Sequence, residues 1–239
     1  MQVIFLPKRK ILIWGLITAT LILLILWLSL WQQITSVPTI TEPIYQGMDT
    51  EKQISLTFNV DWGQEFLSEM LDALEKNEAK ATFYLTGRWA EKFPNDAMDI
   101  SRAGHEIGNH GLKHNSPNAM SLEQNRQDIK EAEKIIEQVT GKKTTLFAPA
   151  SGERNDHVLK AAESLGYTTI LWSIDTVDWR RDKSPDQIVS KVVDKAHNGA
   201  IVLMHPTEAT AKALPGMINE LKNEGYKIVP VSKILSDNN

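Results

Sequence analysis

Cysteine is absent from the 239 residues, which excludes disulfides, thiolate zinc sites and cysteine nucleophiles. A strong charge of either sign is also absent. Lys and Arg number 26 against 30 Asp and Glu, for a formal net charge of -4, so there is no basic footprint for nucleic acid. Ser151 has no serine-hydrolase elbow around it. "TGKKT" lacks the glycine a phosphate loop needs at position 136, which is isoleucine. Internal repeats and low-complexity segments are missing. Histidine is scarce, with six in the chain, so where each one falls is informative.

One long uncharged run breaks the pattern. Lys8, Arg9 and Lys10 precede "ILIWGLITATLILLILWLSLW", Ile11 to Trp31. About twenty apolar residues cross a bilayer core. The alternative, a cleaved signal peptide, has an apolar core of about 7–15 residues followed by small residues. This run is longer and leads into "WQQITSVPT", and Trp27 and Trp31 sit where an aromatic belt lies. It reads as a retained transmembrane anchor over residues 1–32, with the rest of the chain extracytoplasmic. Residues 33–52 carry two prolines and no helical period, and read as a stalk.

From residue 53 to 239, short apolar strands alternate with amphipathic helices. The strands are "QISLTFNV", "KATFYLTG", "HEIGNH", "KTTLFAP", "YTTILWSID", "GAIVLMHP" and "YKIVPVS". Between the first two strands lies a helix with Phe66, Met70, Leu71 and Leu74 on one face. Ser121 with Gln124 forms a capping box opening a helix to about Val139. Seven such alternations predict an α/β fold with a mainly parallel sheet, in the form of a distorted, incompletely closed (β/α) barrel. In such folds reacting groups gather at the C-terminal ends of the strands.

The residues after those strands repeat one chemistry. Asn59 and Asp61 follow the first, His110 and His114 the third, Asp175 and Asp178 the fifth, and His205 the sixth. His110 and His114 are spaced to reach one metal, although a surface pair or capping histidines explain such spacing as well. An acid after a strand, such as Asp61, is commonly a helix cap. Together the three make a His, His, Asp set with room for water, the usual form of a catalytic metal site. Asp178 offers a carboxylate to hold one ring nitrogen of His205, which makes that imidazole a general-acid candidate. Trp62, Trp172 and Trp179 are candidates to line a sugar groove or to fill core.

These residues carry a resemblance. Residues 52 to about 235 resemble the NodB-homology domain of the polysaccharide deacetylases (carbohydrate esterase family four), in a membrane-anchored or secreted bacterial branch related to sporulation deacetylases. "GHEIGNHGLKH" matches the family's metal motif, "DTVDW" and "LMH" match later motifs, and "TFNVDWG" and "FAPASG" occupy the places of the first and third. The resemblance implies a distorted barrel of about seven strands, one divalent metal (commonly zinc), and hydrolysis of N-acetyl groups on peptidoglycan or chitin-like polymers. It implies Asp61, His110 and His114 as metal ligands, His205 as the acid oriented by Asp178, and sugar contacts at Trp62, Trp179 and Pro149.

Two departures accompany it. The family's catalytic base is an aspartate two residues before the metal-ligand aspartate; here that position is Asn59, and an amide oxygen cannot store a proton at neutral pH. The arginine that pairs with that base is replaced by Ala148. Loss of both is coherent, since an arginine facing a neutral amide is an uncompensated charge. Three functions then compete: a slowed deacetylase helped by Glu65 or Glu153, a non-catalytic metal- and glycan-binding protein, and a plain scaffold.

Overall fold

The computed structural model describes residues 17–25, 27 and 42–236, and the chain divides into two compact units, Met1–Thr39 and Ile40–Asn239. In the first unit, residues 17–25 are helical and the apolar side chains of Leu21 through Ile25 stand exposed. Among the described residues no helix is long and apolar enough to cross a membrane. Most of the expected span over 11–31, the basic cluster before it and residues 33–41 of the expected stalk lie outside the described residues.

In the second unit eight parallel strands form one sheet. They are β1 (Gln53–Val60), β2 (Thr82–Leu85), β3 (Glu106–Asn109), β4 (Leu146–Phe147), β5 (Thr168–Thr169), β6 (Ile174–Asp175), β7 (Ala200–Met204) and β8 (Lys227–Ile228). The helices are α1 (Gln64–Lys76), α2 (Gly87–Lys92), α3 (Pro94–Arg102), α4 (Leu122–Thr140), α5 (Asp156–Ser164), α6 (Pro185–Val193), α7 (Glu208–Asn223) and α8 (Val231–Leu235). The two-residue alternation of β1 sets the layering. Ile54, Leu56, Phe58 and Val60 join the main core with Leu67, Met70 and Leu74 of α1 and Leu214, Met217 and Ile218 of α7. The face of α1 is turned slightly from the expected one, since Leu67 and Ala73 are buried while Phe66 and Leu71 are only partly so. On the other side of the sheet Tyr84, Leu146, Ala148, Ile170 and Ile201 cluster with Val231 and Ile234 of α8.

The strand order β5-β4-β3-β2-β1-β7-β6, with β8 also on β1, forces the sheet to curl. Laid flat, the six spacings between β5 and β6 span about 29 Å. The chain from Thr169 to Ile174 reaches at most about 17 Å. "YTTILWSID", expected as one strand, is therefore two, and it crosses the seam of an incompletely closed barrel. Residues expected as stalk cover that seam: Ile44 bridges Ile170, Gln46 bridges Ala200, and the Gly47 N–H donates to the Gly199 carbonyl at 2.7 Å. The folded unit thus begins before residue 53. Prolines mark this segment as non-helical, but its backbone still serves the open sheet edges.

His105, ahead of β3, is buried with its Nδ1 accepting the Ala81 N–H at 3.3 Å. Burial, helped by Lys80, lowers its pKa to about 4. Above the unfolded value of about 6.5, both folded and unfolded states hold it neutral and the linkage is silent. Between about 6.5 and about 4 the unfolded chain takes the extra proton, so stability falls as pH drops through that window. Thermal unfolding at pH 4.5 is expected to show a loss on the order of 2 kcal/mol relative to pH 7. His105→Gln should flatten part of that slope; a slope unchanged by the substitution would count against this assignment.

Candidate active site

Asn59 is the last inward-facing residue of β1, in register with Tyr84 of β2 and buried. It lines a cavity of about 450 Å³ together with Trp62, His114, Ser151, Trp172, Asp175, Trp179, Leu203 and His205. The strand exits that the sequence marks therefore meet in one place. A second cavity of about 780 Å³ shares Trp62 and Trp179 with it and is lined by Arg180, Arg181, Lys183 and Lys212. Trp62 and Trp179 stand 44% and 57% exposed, as aromatic walls rather than core.

The most completely built part is around His205. Its Nδ1 lies 2.8 Å from Oδ1 of Asp178, and its backbone N–H donates to Oδ2 at 2.7 Å. The Thr210 hydroxyl donates to the same Oδ2 at 2.6 Å. The Asp178 side chain is fully buried, so it acts as a fixed acceptor that leaves Nε2 of His205 as the remaining ring nitrogen. Trp62 stacks parallel to the imidazole, with centroids 6.1 Å apart. Gly63 makes this packing possible: at φ 80°, a Cβ there would fall 2.0 Å from the Pro206 carbonyl oxygen. Val177, just before Asp178, has φ 57°, a strained conformation for a β-branched residue. The Val177 N–H donates to Oδ1 of Asp175 at 2.8 Å, which helps to hold that turn.

His110 and His114 sit in the loop after β3, their rings edge to face with centroids 5.1 Å apart. Helix α4 anchors the loop. Asn109 Nδ2 donates to the Ile129 carbonyl, and the Leu112 N–H donates to Asp128. His110 Nδ1 lies 2.6 Å from the Ala148 carbonyl, so this nitrogen is the donor and Nε2 carries the lone pair. Burial, with repulsion from His114 next, drives the His110 pKa down to about 3 and keeps the ring neutral. Neutral nitrogen with a backbone-fixed tautomer is what a divalent cation requires of a ligand. His110 meets that requirement, and the His114 ring stands 5.1 Å from it on the same loop.

Asp61 is committed elsewhere. Its Oδ1 accepts the Thr86 hydroxyl at 2.8 Å and its Oδ2 pairs with the Arg88 guanidinium. Among the described residues no three His, Cys, Asp or Glu side chains are grouped to hold a metal ion. The carboxylate expected as third ligand is thus present in the loop but turned onto a cation of the chain itself. Thr86 and Arg88 give no signal in the sequence, since nothing in "LTGRWA" marks a partner 25 and 27 residues back.

Three other expectations change. Pro149 is buried and does not line the cavity, because the chain turns there into a short 3₁₀ segment, Ala150–Gly152; Ser151 and Trp172 stand at the wall instead. Glu153 is occupied, accepting from the Ser116 hydroxyl and the Asn118 N–H. Glu65 is exposed in the first turn of α1 and does not line the cavity. Neither is placed to act as a base there.

Comparison with known proteins agrees with this geometry. The family profile described as polysaccharide deacetylase matches residues 46–170. Protein YlxY of Bacillus subtilis is 36% identical over 82% of this chain, which spans 61% of that protein's length. The Bacillus subtilis peptidoglycan-N-acetylmuramic acid deacetylase PdaA is 30% identical, covering 85% of this chain and 79% of its own. A crystal structure described as a CE4 family pseudoenzyme from Bacillus anthracis superposes with a TM-score of 0.79 at 41% identity, over 82% of this chain and 69% of that one. A mutant described as that pseudoenzyme with restored enzymatic activity has the same TM-score, 0.79, at 39% identity over 82% of this chain and 71% of its own.

Proposed function

We propose, from the premise that this chain belongs to the polysaccharide deacetylase family, that it binds N-acetylated cell-wall aminosugar polymers and removes their acetyl groups slowly. One observation carries this reading. Asn59, His114 and His205 line a single cavity between exposed tryptophans, with the acid side assembled and an amide at the base position.

In this reading the sugar ring lies against Trp62 and Trp179, whose aromatic faces suit its apolar C–H surface. Asp178 holds Nδ1 of His205, so Nε2 delivers the proton that the departing amine needs. His110 and His114 would hold a divalent cation such as zinc, and Asp61 would complete the set once released from Arg88. Bound there, such a cation would supply Lewis-acid polarisation of the acetamide carbonyl. Asn59 can orient water through its amide but cannot keep the water's proton, and a missing general base costs about 10²–10⁴-fold. In the second cavity Arg180 and Lys212 are paired with Asp182 and Glu208, which leaves Arg181 and Lys183 as the cations that could meet a carboxylate of the polymer. The uncharged run Ile11–Trp31 behind Lys8–Lys10 supports anchoring in a bacterial cell membrane with the domain on the wall side.

A second reading has its own support: binding of the same polymer with no turnover. The similarity to a protein described as a pseudoenzyme favours it, as does the engagement of Asp61 by Arg88. Acetate release from peptidoglycan fragments at enzyme excess, with zinc supplied, separates the two. Slow release above a protein-free blank is the expected result. Glycan binding without any release would favour the second reading, and neither binding nor release would defeat both.

A further inference from the structure

We infer that Arg88 is an internal counter-cation for Asp61 that competes with a divalent metal for this carboxylate and keeps metal affinity low. The inference rests on the proposed metal role of His110 and His114 and adds a residue that this role does not include. Three observations converge on it.

The first is direct contact, with the Arg88 guanidinium on Oδ2 of Asp61 and the Thr86 hydroxyl on Oδ1. Both carboxylate oxygens thereby have donors supplied by the chain. The second is exposure. The Asp61 side chain is only 12% exposed and that of Arg88 is 51% exposed. A largely buried carboxylate needs a compensating charge, and Arg88 provides one. The third is the backbone. The N–H groups of Gly87 and Arg88, at the start of α2, donate to the carbonyls of Gly111 and Leu112 at 3.0 and 2.9 Å. Those carbonyls belong to the loop carrying His110 and His114. Arg88 is therefore fixed at the junction between the Asp61 loop and the histidine loop, which is where a cation serving both would compete with it.

For a metal, the consequence is a binding step that must first break a charge-assisted hydrogen bond and then tolerate a neighbouring like charge. Asp61 remains available as a ligand, but only by exchange.

Zinc affinity of the full-length chain, measured by competition with a chromophoric chelator, tests the inference. Arg88→Gln is expected to bind zinc on the order of tenfold more tightly than wild type. Adding Asp61→Asn to Arg88→Gln should cancel that gain. Arg102→Gln, at the end of α3 and away from both cavities, controls for loss of one positive charge and should leave the affinity unchanged. Thermal midpoints verify folding, and because Arg88 is half-exposed its truncation leaves the α2 backbone bonds in place. Equal affinity in wild type and Arg88→Gln, with binding lost in His110→Ala, would overturn the role of Arg88 while leaving the metal reading intact. Zinc binding absent from every folded variant would overturn both.

Discussion

Asn59→Asp combined with Ala148→Arg is expected to raise acetate release from N-acetylated cell-wall glycan by about 10²–10⁴-fold, the usual worth of a general base. Asn59 already lines the cavity beside His114 and His205, so the new carboxylate would arrive facing the acid side without moving the backbone. The order of substitution matters. Ala148 is buried in a cluster with Tyr84, Leu146, Ile170 and Ile201. Ala148→Arg alone places a guanidinium there without a partner, and about 3–5 kcal/mol of stability should be lost. The resemblance to the family pairs these two positions, so an aspartate at 59 is expected to recover part of the cost. Acetate release and urea unfolding of both single variants and the pair check this together. A pair no more stable than Ala148→Arg alone, and no faster than wild type, would show that the two positions do not couple.

Asp178→Ala is expected to be the most destabilising single truncation at the site. One fully buried carboxylate accepts from the His205 backbone N–H, the His205 ring and the Thr210 hydroxyl. Removing it orphans all three donors, for a cost of about 3–5 kcal/mol. In a domain of this size the thermal midpoint should fall by about 10 °C or more. Asp178→Asn keeps the shape and one acceptor oxygen, so about half that loss is expected, but it forces an N–H against donors and leaves His205 poorly held. Thermal unfolding measures both. An Asp178→Ala midpoint within a degree or two of wild type would mean that the network contributes no net stability.

Much of this was legible in the sequence because it depends on local pattern. The alternation of Ile54, Leu56 and Phe58 with Ser55 and Thr57 separates the two faces of β1 and turns Asn59 inward. Strand exits in a parallel sheet lie at one end, and so His114, Asp175 and His205 meet despite long separations. The capping box at Ser121 and Gln124 forms as expected and opens α4, which carries the histidine loop. What stayed hidden depends on how distant loops meet once the sheet curls. The pairing of Arg88 with Asp61 joins two strand exits whose side chains have no periodic relation. The docking of Ile44 and Gln46 follows from an open seam that no window of sequence reveals. Val177 at φ 57° is invisible for the same reason: its strain is held by contacts around the turn, while valine itself favours extended backbone.

The decisive measurement is single-turnover acetate release from peptidoglycan fragments by the wild-type chain, beside the Asn59→Asp, Ala148→Arg pair. Wild type should release acetate slowly and the pair at least a hundredfold faster. Wild-type release as fast as that of the pair would contradict that expectation, because Asn59 would then not mark a missing base.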